Sequence, residues 1–328
     1  MKLPILVTGG AGFVGSTLVR ALLGRGERVV VLDDLSRVGS DQRIAALPDA
    51  DFVRGDVSIA ADVEAAFDRG PFAAVYHLAA QVAVTWSMED PRRDFEVNAL
   101  GSFNVIDAVR RRSPGARCVY MSSNKVYGSL GGLRAIDQGP RKVLEGRPEG
   151  VGADQPLEPE TPYGVSKATG EGYFRDAALT YGLQTVVLRA SCIYGPRQSQ
   201  QEDQGWVAWF GLAVTERRPL RIFGDGRTTR DMLFVDDLVD LYLRILDGPP
   251  PPRGLVLNVG GGAQSARSLL EVVRELEALS GQTADVSHLD ERPGDQPVFI
   301  TDTSRATEVY GWAPTTRPDV GLRLLLGL

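Results

Sequence analysis

The chain has 328 residues, 43% of them hydrophobic, with 36 Lys and Arg against 42 Asp and Glu for a formal net charge of −6. Two cysteines, Cys118 and Cys192, cannot form a disulfide framework and point to a reducing cytoplasm; with two isolated histidines, His77 and His288, they also argue against a structural zinc site or any other metal centre. The mild acidity argues against a phosphate-backbone binder, and no run approaches the ~20 apolar residues that a membrane helix needs.

Met1–Val7 runs straight into Thr8-Gly9-Gly10, which leaves no apolar stretch or cleavage site for a signal peptide. Length alone suggests about two domains, or one large α/β unit with an appendage. In the first half, short β-branched runs alternate with helical patterns, which predicts an α/β fold with a parallel sheet wound by helices. Strands are expected at Leu3–Thr8, Arg28–Leu32, Asp51–Arg54, Ala74–Leu78, Arg117–Ser122, Thr185–Arg189 and Leu255–Val259. Several are apolar throughout, as strands covered on both faces are. Helices are expected at Gly12–Gly24, Ile59–Asp68, Asp94–Arg112, Tyr163–Tyr181 and Asp236–Leu246. In Asp94–Arg112, Val97, Leu100, Val105, Ile106 and Val109 recur at roughly helical spacing. Gly128–Thr161 carries Gly-Gly, Gly-Pro, Arg-Pro and Gln-Pro signals and reads as a long loop. Loops of that length serve as lids or are disordered, and residues of catalytic character on both sides favour a lid. Pro249–Pro252 reads as a stiff connector.

Thr8-Gly9-Gly10-Ala11-Gly12-Phe13-Val14-Gly15 follows a predicted strand and opens a helix. Its glycines allow a tight turn, a close approach of backbone to pyrophosphate at the helix N-terminus, and a helix lying close on the sheet. A glycine triplet alone is also an ordinary strand-to-helix turn. Asp33, 18 residues after Gly15 and at the end of the second strand, strengthens the functional reading, because a carboxylate there binds the ribose 2′-OH. Asp33 and Asp34 would repel a 2′-phosphate, so NAD is favoured over NADP, with Arg37 the one nearby cation that could soften this choice. Asp56-Val57, at the end of the third strand, is an adenine contact in this setting and only a turn by itself.

Tyr163-Gly164-Val165-Ser166-Lys167 places Tyr163 and Lys167 at i and i+4 on one helix face. An ammonium near a phenol favours phenolate, which can take a proton from a sugar hydroxyl while hydride leaves the same carbon. Such a pair is common on helix surfaces. Downstream of a nucleotide fold, with Ser122-Ser123 ending an earlier strand, chemistry is the better reading, and Ser123 can hydrogen-bond the reacting oxygen.

These residues, together with His77-Leu78-Ala79-Ala80-Gln81, Asn98, Ser122–Gly128, Tyr194-Gly195-Pro196, Arg230-Asp231 and Arg292-Pro293-Gly294-Asp295, resemble the extended short-chain dehydrogenase/reductase superfamily of nucleotide-sugar epimerases and dehydratases. The resemblance implies a Rossmann-type doubly wound parallel sheet with a smaller C-terminal substrate-binding domain built from discontinuous segments. Residues 1–188 and 229–260 would bind NAD; residues 189–228 and 261–328 would bind a nucleotide sugar. It implies Ser123, Tyr163 and Lys167 as the catalytic set, with Lys167 also holding the nicotinamide ribose. Phe13, Val14, Leu78, Ala79, Gln81, Asn98 and Ser122 would line the cofactor, and Gln81, Ser123, Asn124, Gln198, Arg230 and Arg292 the substrate. Arginine suits a pyrophosphate because its planar fork matches phosphate oxygens.

Asn124-Lys125 stands where a 4,6-dehydratase would show an Asp-Glu pair, which disfavours dehydration. Asn124–Gly128, Ser191–Gln198, Glu202–Phe210 and Gly294–Phe299 resemble the CDP-tyvelose (CDP-paratose) 2-epimerases, the Asp203-Gln204-Gly205-Trp206 segment most specifically. Departures are Ser199-Gln200 where an aromatic residue is usual, Ser123 in place of Thr, and the unmatched Gly128–Thr161. The expected reaction is inversion at C2 of a CDP-sugar through a transient 2-keto sugar. The rivals are a UDP-hexose 4-epimerase and a dinucleotide-binding regulator without turnover. Trp206, Trp209 and Phe210 could form a core stripe, a wall of the sugar pocket or a subunit contact. His77 reads as a packed, hydrogen-bonded residue. By analogy, the helices Asp94–Arg112 and Tyr163–Tyr181 would pair subunits into a homodimer or homotetramer.

Overall fold

The computed structural model describes residues 2–199, 205–291 and 295–328. The chain forms two compact units: Met1–Val126, Thr161–Arg189 and Val239–Leu257 make the first, and Tyr127–Glu160, Ala190–Leu238 and Asn258–Leu328 the second.

In chain order the elements begin β1 (Ile5–Thr8), α1 (Phe13–Gly24), β2 (Val29–Asp33), α2 (Ser40–Ala45), β3 (Asp51–Arg54), α3 (Ala60–Phe67) and β4 (Ala74–His77). There follow α4 (Val84–Glu89), α5 (Pro91–Phe95), a π-helical turn Glu96–Leu100, α6 (Gly101–Arg112) and β5 (Arg117–Ser123). A hairpin of β6 (Ala135–Gln138) and β7 (Arg141–Leu144) precedes α7 (Pro162–Tyr181), β8 (Gln184–Ala190), β9 (Cys192–Tyr194), α8 (Trp206–Thr215), β10 (Pro219–Phe223), β11 (Thr229–Phe234), α9 (Val235–Asp247) and β12 (Leu255–Val259). The chain closes with β13 (Ala266–Ser268), α10 (Leu269–Ser280), β14 (Asp285–Leu289), β15 (Val298–Phe299), α11 (Ser304–Tyr310) and α12 (Pro318–Leu326).

A seven-stranded parallel sheet of order β12-β8-β5-β4-β1-β2-β3, flanked by helices, organises the first unit. β1 lies between β2 and β4 in register, Ile5 opposite both Val29 and Ala74. The strands β1, β2 and β4 are buried at every position, which their unbroken apolar runs require. β3 is the edge, and its outer residues Asp51 and Arg54 are exposed charges that discourage further pairing. Strand order reverses beside β1, so the β1–α1 turn lies at the topological switch point where doubly wound sheets bind ligands. Helix α7 starts sharply: Thr161 Oγ1 accepts from the Gly164 amide at 3.2 Å and Pro162 fills the first turn.

The single helix expected over Asp94–Arg112 is instead α5, the π turn and α6. Asp90 caps α5, its side chain accepting from the Arg93 amide, and the widened turn falls on Asn98. Apolar spacing reads only a mean period and passes over one inserted residue.

In the second unit β11 pairs with β13, β15 and β9, and β10 pairs with β14. Its core gathers Tyr194, Phe210, Leu220, Ile222, Phe234, Leu276 and Leu322. Phe210 belongs to that core, and Trp206 and Trp209 pack partly buried against it, which makes these aromatics a core stripe.

Two expectations are corrected here. Gly128–Thr161 is not a free lid. It contains the β6–β7 hairpin, and Val151 is fully buried, donating to Ile300 O at 2.7 Å and accepting from the Asp302 amide at 3.0 Å and Asn258 Nδ2 at 2.8 Å. Its short strands lie among glycines and prolines that mask their alternation. Residues 127–160, 229–238 and 258–260, expected with the nucleotide-binding part, fall in the second unit, and Arg189, expected with the other part, falls in the first; β11 and the hairpin find hydrogen-bond partners in the second unit.

Candidate active site

The glycine turn is held by contacts that no side chain could share. Gly9 has φ +71°, and a Cβ on it would lie 2.6 Å from the Ala79 amide nitrogen; a Cβ on Gly15 would lie 2.1 Å from Gly9 O. Gly12 is the N-cap of α1, so Phe13 and Val14 begin a helix whose first amides receive no capping side chain and no first-turn carboxylate. Such a terminus offers an anion backbone donors and the positive end of the helix dipole. Leu78 and Ala79 close its other side, donating to Thr8 O at 3.1 Å and Thr8 Oγ1 at 3.3 Å.

Asp33, at the end of β2, is buried and accepts from the amides of Ala11 and Leu35, each at 2.9 Å. Burial raises its pKa against those two bonds. Its carboxylate therefore orders the glycine turn as well as ending the strand. Arg43 Nε donates to Ala11 O at 2.8 Å from the other side. Arg37 is lowered by burial and feels the charge of Asp34 and also that of Tyr163, so its field reaches beyond the ribose position the sequence suggested. Asp56 accepts from Ser58 and from Arg93 Nη2 at 2.6 Å; burial raises it, but these bonds win and hold it below the usual carboxylate range. Arg93 also stands 3.7 Å from Asp34, and Val57 is buried beside Asp56.

Ser123 ends β5, and α7 carries Tyr163 and Lys167 one turn apart, all three buried. Ser123 Oγ donates to Asn124 Oδ1 at 3.3 Å, accepts from the Lys125 amide at 3.2 Å, and is hydrogen-bonded to Tyr163. Burial, with the charge of Asp94, pushes Tyr163 up to about 12, opposed by Ser123 and by the charge of Arg37. Burial pushes Lys167 down to about 7, opposed by Asp94 and Glu171. The cation that lowers Tyr163 in this structure is Arg37, while Lys167 Nζ lies 4.6 Å over the Tyr120 ring and feels the charges of Asp94 and Glu171. Sequence spacing fixes the turn of the helix and leaves open where a four-carbon stem points.

Several expected contacts turn inward. Ser122 Oγ donates to Glu171 Oε2 at 3.3 Å, and Glu171 is bound bidentately by Arg189. Asn98 Nδ2 donates to Gln81 O and to Asp94 Oδ1, both at 3.0 Å, and its Oδ1 accepts from the Gln81 amide at 3.0 Å. The Gln81 side chain closes on the Ala83 backbone through bonds of 2.8 and 2.6 Å. His77 bonds Thr8 Oγ1 at 2.7 Å and Ser102 Oγ at 3.1 Å, and burial drops it to about 3, so it stays neutral.

In the second unit Arg230 is buried; it donates to Thr229 O at 2.8 Å and pairs with Asp295 Oδ1 at 2.6 Å. Gln198 Nε2 donates to Ile193 O at 3.2 Å, and its buried Oε1 has no hydrogen-bond partner among the described residues. Arg292 and the Asp203-Gln204 pair lie outside the described residues. Sequence reading missed Arg43, Arg93, Asp94, Glu171 and Arg189. Two of them had a signal: Asp94 stands four residues before Asn98, and Glu171 four after Lys167, each on the face of its partner.

The doubly wound sheet, the uncapped helix behind a glycine turn and the carboxylate ending β2 define a dinucleotide-binding α/β protein, and the Gly9 and Gly15 contacts fit a backbone cradle for a diphosphate. The model of the NAD dependent epimerase/dehydratase family matches residues 5–260, and the chain belongs to that family, with NAD as its cofactor. The chain is 35% identical over 327 residues to CDP-paratose 2-epimerase of Salmonella typhi, covering 97% of each chain. It is 35% identical over 313 residues to UDP-glucose 4-epimerase of Mycolicibacterium smegmatis, covering 94% of this chain and 93% of that one. Among solved structures, the NAD complex of UDP-glucose 4-epimerase from Thermus thermophilus superimposes with a TM-score of 0.84 at 32% identity, covering 99% and 98% of the two chains. Among the described residues, no helix is long and apolar enough to cross a membrane.

Proposed function

We propose that the protein is a nucleotide-sugar epimerase inverting C2 of a CDP-sugar of the paratose/tyvelose type. The observation that carries the reading is the buried Ser123–Tyr163 hydroxyl pair with Lys167 one turn away, next to Asn124-Lys125 in place of an acid–base pair for eliminating water. Similarity to CDP-paratose 2-epimerase over 97% of both chains supports the choice of carbon and nucleotide.

Bound NAD supplies a reversible hydride acceptor. Gly9, Gly12, Phe13, Val14 and Gly15 would hold its diphosphate, Asp33 and Asp34 its adenosine ribose, and Lys167 the nicotinamide ribose. Tyr163 takes the proton of the 2-hydroxyl, and Ser123 holds the same oxygen as it becomes a carbonyl. Tyr163 enters that step from a pKa of about 12, so a nearby positive charge is needed to favour its phenolate. Arg37 provides such a charge in the structure, and Lys167 would add to it once aligned by the ribose. Arg230, Arg292 and Gln198 would hold the nucleoside diphosphate while the keto-sugar presents its other face, after which Tyr163 returns the proton.

A panel of CDP-, UDP- and GDP-sugars followed by NMR tests the assignment. Inversion at C2 of a CDP-sugar, with a C2 deuterium retained in the product, is expected; washout of the deuterium into solvent overturns the mechanism. The UDP-glucose 4-epimerase relative, also 35% identical, favours a second reading with the same residues and a different carbon presented, and turnover of UDP-glucose alone would establish it. Two further assignments belong to this reading. The free thiols of Cys118 and Cys192 suit a reducing cytoplasm, and the exposed Phe103 of α6 with Val165 and Tyr173 of α7 suit a homodimer contact, which sedimentation tests.

A further inference from the structure

Lys167 is surrounded by groups from four elements. From α7 come Tyr163 and Glu171, from β4 His77, from β5 the ring of Tyr120, and from α5 Asp94. Only two of these are carboxylates, and they differ in how far they are already paired. Glu171 is spent: Arg189 binds both its oxygens, at 2.6 and 3.0 Å, and Arg175 stands 3.8 Å away. Asp94 makes no ion pair within 4.0 Å among the described residues. It is 1% exposed; its Oδ1 accepts from Asn98 Nδ2, the Ser166 hydroxyl is close enough to lower it as a hydrogen-bond partner, and its Oδ2 makes no hydrogen bond of good geometry. A buried carboxylate served by so few donors is costly unless a positive charge repays it. The neutral His77 cannot do so, and Lys167 is the cation whose charge acts on Asp94.

Asp94 is also held rigidly. Asp90 caps its short helix, and the π turn that follows brings Asn98 round to bond Asp94 Oδ1, Ser166 Oγ at 3.2 Å and Gln81 O together. Ser166 is the neighbour of Lys167 on α7, so one amide links the α5 carboxylate to the helix that bears the lysine.

We propose that Asp94 is a positioning residue whose buried carboxylate is the counter-charge that keeps Lys167 an ammonium. The proposal rests on the reading of Lys167 as a working residue of the site. Burial brings Lys167 to about 7, where its charge is finely balanced at neutral pH, and Asp94 opposes that fall more strongly than Glu171. Asp94→Asn keeps an acceptor for Asn98 and the size of the side chain while removing the charge.

The chain has four lysines, Lys2, Lys125, Lys142 and Lys167, so labelling lysine with carbon-13 at Cε yields a spectrum simple enough to titrate. Lys167→Met identifies the signal. In Asp94→Asn the Lys167 titration moves to lower pH, and in Asp94→Glu it returns towards that of the unaltered protein, with and without NAD. An unmoved midpoint in a folded Asp94→Asn protein overturns the proposal. In the unaltered protein the same signal must show a second inflection on the acid side as Asp94 protonates. That reading remains if the Asn variant does not fold, and absence of the inflection overturns the proposal equally. None of these measurements uses a sugar. A shifted lysine with no epimerisation on the substrate panel would sink the proposed function and leave this inference standing.

Discussion

Arg189 and Glu171 offer a direct measure of how much the interior of the first unit depends on paired charge. Their side chains are 3% and 1% exposed and share bonds of 2.6 and 3.0 Å. Arg189→Met removes the paired cation and leaves a buried carboxylate with the Ser122 hydroxyl at 3.3 Å, Arg175 at 3.8 Å and the weaker charge of Lys167. Breaking a buried pair costs about 3–5 kcal/mol. Arg175 is 45% exposed and can only partly replace the lost charge, so a loss of about 3 kcal/mol is expected. At about 2–4 °C per kcal/mol that lowers the melting temperature by about 6–12 °C, read by calorimetry beside urea titration. Removing both charges, as Arg189→Met with Glu171→Leu, should recover most of the loss, since an apolar pair of similar volume replaces a buried ion pair at little cost. A single variant that loses less than about 1 kcal/mol, or a double variant as unstable as the single, would refute the assignment of that cost to an uncompensated buried charge.

Gly15→Ala puts a Cβ 2.1 Å from Gly9 O and 2.8 Å from Gly10 Cα, both backbone. The strain should cost about 1–3 kcal/mol and weaken NAD binding at least about tenfold by calorimetry, and unchanged affinity contradicts the cradle. His77 stays neutral in the folded chain down to about 3 and would protonate near ~6.5 when unfolded. The stability this depressed pKa supplies is complete above ~6.5 and drains away as pH falls towards 3, by about 2 kcal/mol at pH ~5. Urea titrations at pH ~7.5 and ~5 should therefore show a smaller acid loss in His77→Gln, and equal losses would count against a neutral buried imidazole. Tyr163→Phe should abolish turnover of whichever sugar the panel identifies while NAD still binds, and a variant of full activity removes the tyrosine from the mechanism.

The strands β1, β2 and β4 were legible because both of their faces are buried, so an apolar run is the only sequence that fits. The Gly9–Gly15 turn was legible because backbone contacts of this kind admit no Cβ, and a spacing of glycines records that exclusion directly. The β6–β7 hairpin was not. Its pattern is four residues a side, and what orders it is Arg141 meeting Ala266 and Glu271 and Lys142 meeting Thr229, partners about 90–130 positions away. Asp94 was only partly legible: its spacing of four from Asn98 is visible in the chain, but its burial and the π turn that follows it leave no mark on apolar spacing.

The sequence by itself thus determined the doubly wound sheet, the dinucleotide turn, and the presence of Ser123, Tyr163 and Lys167 on a strand end and one helix face, all of them consequences of local geometry and periodicity. Tertiary structure alone decided the charges. It set Tyr163 up to about 12 and Lys167 down to about 7, gave Glu171 to Arg189, put the charge of Asp94 to work on Lys167, and paired Arg230 with Asp295. An ionisable group takes its strength from the solvent it has lost and the charges folded around it, and neither is written in the spacing of residues along the chain.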